Sequence, residues 1–126
     1  MLKIKRNALL SALQGAKETH PHEFICLLRG EKDGEDWLLT EVIIAPFSNY
    51  DKSSSSYSMW YVPANTGELA SFHSHPSPQS AFPSAQDLRY FSRSSPFHFI
   101  ACFPYRESDV NAFDAKGKKI EWKTVG

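Results

Sequence analysis

The apolar residues of this chain fall into one segment of helical spacing and then a series of short runs, each cut off by glycine, proline or a polar cluster, and that alternation leaves few architectures open. Within residues 4–17, Leu9, Leu10, Leu13 and Ala16 recur near helical spacing, with Lys5, Arg6, Gln14 and Lys17 available for the opposite face. This predicts an amphipathic helix that ends near Thr19-His20-Pro21. The run 23–28, closed by Gly30, then the turn Asp33-Gly34 and the run 37–45 predict two strands joined by a hairpin. Further strands are expected over 59–62, 69–75, 97–103, 109–113 and 119–123, with a second helix over about 84–92 behind the turn carrying Pro76, Pro78 and Pro83. That order predicts an α/β fold, a mixed sheet flanked by helices. With 126 residues, 41% of them hydrophobic, the chain is expected to form a single domain over 1–126.

Charge and cysteine usage narrow the function classes. Fourteen Lys plus Arg balance fourteen Asp plus Glu without a basic run, so there is no face built to neutralise phosphates and nucleic acid is not the expected partner. No stretch approaches the roughly 20 apolar residues of a membrane span, and the N-terminus turns amphipathic, so a cytoplasmic protein with no membrane partner is expected. Cys26 and Cys102 lie in apolar runs without CxxC spacing and read as buried thiols, while their spacing leaves open whether they pair. The polar segment 47–58, with serines at 53–56, reads either as a solvated connector or, with Met59, Trp60 and Tyr61, as a flap over a bound chain.

The chemistry concentrates at Phe72-His73-Ser74-His75-Pro76. In a strand, residues i and i+2 share a face about 6.6 Å apart, and two imidazoles so placed can converge on one zinc ion at about 2.0–2.1 Å. His-x-His alone is common and weak. The odds rise with Ser84-Ala85-Gln86-Asp87, where Asp87 stands at a helix start able to pack back on the strand end. Ser-x-x-Asp is also the capping-box pattern, so Asp87 can serve as helix-start residue and third ligand together. Three protein ligands (His73, His75 and Asp87) leave a fourth tetrahedral position for water, as in catalytic rather than structural zinc sites. Glu23, at the head of an apolar strand, is the expected proton carrier; Glu68, five positions before His73, falls on the opposite strand face. His20-Pro21-His22 reads as loop structure, and His98 as a core or strand-edge histidine.

Taken together, Glu23, His73-Ser74-His75-Pro76 and Ser84-Ala85-Gln86-Asp87 resemble the JAMM signature of the JAB1/MPN/Mov34 metalloprotease family. The resemblance spans nearly the whole chain, including Ile100-Ala101-Cys102-Phe103-Pro104-Tyr105, and is closest to compact archaeal-type members. It implies a cytidine-deaminase-like fold, one zinc on His73, His75 and Asp87 with a bound water as fourth ligand, Glu23 as general acid/base and Ser84 stabilising the oxyanion. It also implies hydrolysis after the C-terminal Gly-Gly of ubiquitin-like modifiers, with those modifiers and their lysine conjugates as partners. Eight residues separate His75 from Ser84 where the family has seven, an insertion in a proline-rich loop. The competing readings are a base deaminase, a non-catalytic MPN scaffold, and a peptidase for a sulfur-carrier-like protein. The first needs His-x-Glu and Pro-Cys-x-x-Cys, whereas Glu23 lies fifty positions upstream of His73 and no CxxC exists. Scaffold members usually lose ligands, and this chain keeps them.

Overall fold

The computed structural model describes residues 1–43, 67–78, 80–91 and 95–126, so the expected strand at 59–62 and the proposed flap at 47–58 lie outside the described residues. Among them the element order is β1 (Leu2–Lys5), α1 (Arg6–Thr19), β2 (Ile25–Asp33), β3 (Asp36–Ile43), β4 (Glu68–His75), α2 (Ala85–Phe91), β5 (Phe97–Cys102), β6 (Val110–Asp114), β7 (Lys119–Ile120) and β8 (Trp122–Val125), with a short 3-10 turn at Glu107–Asp109. The strands form one mixed sheet in the order β7-β6-β5-β4-β2-β3-β1-β8.

The N-terminus departs from expectation. Leu2-Lys3-Ile4-Lys5 is a strand, parallel to both β3 and β8, and helix α1 begins only at Arg6. Leu2 and Ile4 point inward and are buried, a two-residue alternation that abuts the helical spacing and is masked by it. On α1 the buried stripe is Ala8, Leu9, Ala12, Leu13 and Ala16, while Leu10 is exposed. The hairpin forms as expected, its turn carried by Gly34 at φ 65, where L side chains are disfavoured. Strand β2 runs past Gly30, with a register shift at Arg29/Gly30; a Cβ there would meet the Leu38 backbone. The expected single strand at 119–123 is two, because Ile120 pairs with β6 and Trp122 with β1.

Strand alternation gives the sheet two different faces. Cys26, Leu28, Ala70, Phe72, Phe99, Ala101 and Ala112 pack with α1 in the main core. Trp37 on Phe97 and Trp122 on Phe99 carry ring contacts from distant strands across this core. Ile100, Cys102 and Phe113 face the other way and pack on Ala81. Cys26 and Cys102 are both buried free thiols in different clusters, which excludes a bond between them. Strands β4 and β5 are parallel neighbours joined through α2, so the β4 carboxyl end opens toward the first turn of that helix.

Candidate metal centre

Ser71, His73 and His75 alternate along β4 on the face opposite α1, which places both imidazoles under the start of α2. The helix start is fixed by a reciprocal capping box. The Ser84 backbone N–H donates to Asp87 Oδ2 at 2.9 Å and the Asp87 N–H donates to Ser84 Oγ at 3.1 Å. The Ser84 cap is therefore made by its side-chain oxygen as well as its backbone, which leaves the hydroxyl proton to be donated elsewhere. Asp87, 8% exposed, is aimed at the strand: Oδ2 lies 3.0 Å from His75 Nε2 and Oδ1 lies 3.9 Å from His73 Nδ1.

The protonation pattern at His75 is decided by its other nitrogen. Nδ1 lies 2.7 Å from the Ser80 carbonyl, which only accepts, so Nδ1 carries a proton. In the neutral ring Nε2 then presents a lone pair to a carboxylate oxygen at 3.0 Å, and two lone pairs at that distance need a proton or a cation between them. Burial lowers the His75 pKa, but the Asp87 hydrogen bond, the Ser80 carbonyl and the charges of Asp87 and Glu23 outweigh it and raise the pKa overall. Asp87 is opposed by burial too, yet the His75 hydrogen bond, His73 and the Ser84 N–H hold its carboxyl down at about 2. His73, enclosed almost completely, is pushed down to about 4 by burial, with Asp87 opposing and His75 reinforcing.

Two donors about 2.05 Å from one ion at the tetrahedral angle stand about 3.3 Å apart. The two Asp87 contacts, 3.0 and 3.9 Å, bracket that value. No set of three His, Cys, Asp or Glu among the described residues stands as a finished cage. Two imidazoles and a carboxylate are nonetheless a donor set that suits zinc.

Glu23 sits just ahead of β2, half-buried, rather than within the strand. Its neighbour Phe24 is clamped to Ser74, the residue between the two histidines. The Phe24 N–H donates to Ser74 Oγ at 2.8 Å, and the Ser74 N–H donates to the Phe24 carbonyl at 2.9 Å. The loop's other end is held where His20 Nδ1 meets the Tyr105 hydroxyl at 2.7 Å and stacks on Phe103. The Glu23 charge acts on both His75 and Tyr105. Glu68 is elsewhere, accepting from Ser95 Oγ at 3.2 Å. His20 and Pro21 lie in a turn, as expected. Sequence reasoning missed Ser80 and Tyr105, and also Ser71, which bonds both His73 and the buried His98. A cleft of about 360 Å³ opens past the β5 end, between exposed Phe82 and Phe103, and is lined by none of Glu23, His73, His75, Ser84 and Asp87.

Strand β4 thus ends in two histidines under a carboxylate-bearing helix start, with Glu23 next to the Phe24–Ser74 clamp. The model for prokaryotic homologues of the JAB domain matches residues 5–116, and the chain belongs to that JAB1/MPN (JAMM) family. It is 36% identical over 121 residues to a protein of Haloferax volcanii named "Probable metalloprotease", covering 91% of this chain and 74% of that protein. A JAB1/MPN domain protein from Archaeoglobus fulgidus has the same fold, with a TM-score of 0.76 and 35% identity over 98% of this chain and 99% of that one. A structure described as a metalloprotease-like zinc site in the proteasome and signalosome matches with a TM-score of 0.76 and 34% identity over 100% and 99%. The fold is therefore JAB1/MPN, α/β. No described helix is long and apolar enough to cross a membrane.

Proposed function

We propose that this chain is a zinc metallopeptidase that cleaves isopeptide bonds after the C-terminal Gly-Gly of ubiquitin-like modifiers, with His73, His75 and Asp87 as ligands. The observation that carries the metal reading is the pair His75 Nε2 and Asp87 Oδ2, 3.0 Å apart with the other ring nitrogen committed to a carbonyl. When bound, zinc supplies Lewis acidity that polarises the scissile carbonyl and acidifies the attacking water.

The protein's own groups do the rest. Glu23, held by the Phe24–Ser74 clamp, takes the proton of the water and passes it to the lysine amine as it leaves. The Ser84 hydroxyl, whose oxygen accepts from Asp87, donates its proton to the developing oxyanion. Asp87 stays ionised throughout, because its environment keeps its pKa near 2.

The test is cleavage of a modifier–lysine conjugate, a linear modifier precursor and a sulfur-carrier adduct by wild type, Glu23→Gln and His75→Ala. Glu23→Gln should keep metal and lose turnover by two to four orders of magnitude, about the usual range for general acid–base catalysis. His75→Ala should lose both. Full turnover in Glu23→Gln would remove it as proton carrier, and wild-type cleavage of the adduct alone would reassign the substrate.

A further inference from the structure

The two histidines of the site are held from behind in different ways. His75 Nδ1 faces a carbonyl, which fixes that ring's proton without ambiguity. His73 Nε2 instead faces a hydroxyl, Ser71 Oγ, at 3.0 Å, and a hydroxyl can either donate or accept. That hydroxyl is itself 2.6 Å from His98 Nδ1. Ser71 and His98 are directly paired in the parallel β4–β5 register, and Ser71, His73 and His98 are all buried, at 0%, 2% and 0% exposure.

A chain of ring, hydroxyl and ring has two consistent orientations. In one, His73 Nε2–H donates to Ser71 Oγ, and the Ser71 hydroxyl donates to His98 Nδ1. His73 Nδ1, the nitrogen facing Asp87, then carries a lone pair. In the other, His98 Nδ1–H donates to Ser71 Oγ, whose hydroxyl donates to His73 Nε2. The proton of His73 then sits on Nδ1, pointing at Asp87 and blocking coordination. Only the first orientation presents a ligand nitrogen toward Asp87.

On the reading of His73 as a zinc ligand, we infer that Ser71 and His98 are positioning residues: their hydrogen-bonded relay holds His73 in the Nε2–H tautomer, so that Nδ1 is the nitrogen offered to the metal. The relay is a histidine–hydroxyl counterpart of the carboxylate or carbonyl partners that usually orient metal-bound imidazoles. It touches neither substrate nor metal. Its effect passes through the His73 ring alone.

The test combines zinc affinity with long-range ¹⁵N–¹H spectra of the histidine rings. Zinc-loaded wild type should show His73 protonated at Nε2 and coordinated through Nδ1. Ser71→Ala and His98→Phe should each weaken zinc binding about 10- to 100-fold, and should lower the share of His73 that is protonated at Nε2 and coordinated through Nδ1 in the zinc-loaded protein. His98→Asn, whose carboxamide oxygen can take the Ser71 proton in place of Nδ1, should recover most of the affinity. A purely structural role would lower the melting temperature of the variants while leaving affinity and tautomer unchanged, and that result overturns the inference. So does coordination of wild-type His73 through Nε2, a measurement that needs no variant to fold. Wild type that takes up no zinc defeats the metal reading itself and the relay's role with it, whereas normal wild-type uptake with unaffected Ser71→Ala defeats the relay alone.

Discussion

Ser74 stands between the two histidines but acts toward a different strand, and replacing it separates the placement of Glu23 from the binding of metal. Its side chain is fully buried, and Ser74→Ala would leave the Phe24 N–H, in a residue 3% exposed, without its 2.8 Å acceptor. An orphaned buried donor costs about 1–3 kcal/mol. The companion bond from the Ser74 N–H to the Phe24 carbonyl survives, so β2 should stay paired with β4 while the segment ahead of it loosens. Glu23 is the next residue out, and a displacement of about 1 Å at a catalytic group can cost on the order of a hundredfold in rate. Urea unfolding of the chelated protein, followed by tryptophan fluorescence, should show the stability loss; zinc competition should show affinity changed less than about threefold; and kcat should fall by one to two orders of magnitude. Ser74→Thr, which keeps the hydroxyl, should recover turnover. An alanine variant that loses under about 0.5 kcal/mol and turns over normally would refute the clamp.

Two further outcomes follow from the same region. Gly15 lies in α1 against the Phe24 ring, where an added Cβ would meet two ring atoms at 2.7 and 2.9 Å and a third nearer still. Gly15→Ala should forfeit the gain of about 1 kcal/mol normal for a helix interior and cost up to about 2 kcal/mol net, with kcat falling alongside; a stabilised, fully active variant contradicts this packing. Acid stability gives the second: Asp87 has a folded pKa of about 2 against 3.8 in the free side chain, so the unfolded chain takes up its proton first. Its contribution is complete above pH 4 and is lost as the pH falls through 2, amounting to about 2 kcal/mol, and denaturant midpoints of metal-free wild type should fall over that window while those of Asp87→Asn change less.

What was legible in the sequence was what is local. His-x-His in a strand and Ser-x-x-Asp at a helix start each carry their geometry within a few residues, and both came out as the spacing predicts. Glu23 was harder, because its place depends on β2 pairing with β4 and on a bond from Phe24 to Ser74 across fifty positions. The relay behind His73 was not legible, since nothing near Ser71 signals that β5 lies beside it in a register that sets His98 opposite. Strand β1 was hidden for a different reason: four alternating residues are too few to outweigh the helical spacing that follows, and their burial depends on two parallel partners, one of them more than a hundred residues away. The split of β7 from β8 has the same origin, as Ile120 and Trp122 both pack inward but their hydrogen-bond partners lie at opposite ends of the sheet.

The central claim, that His73, His75 and Asp87 together hold a metal, is tested most directly by zinc stoichiometry and affinity in wild type and Asp87→Asn measured side by side. One zinc per chain is expected in wild type, with affinity reduced at least about a hundredfold in Asp87→Asn, because the substitution removes the charge facing both imidazoles. Unchanged affinity in Asp87→Asn, or wild type that takes up no zinc, would contradict it.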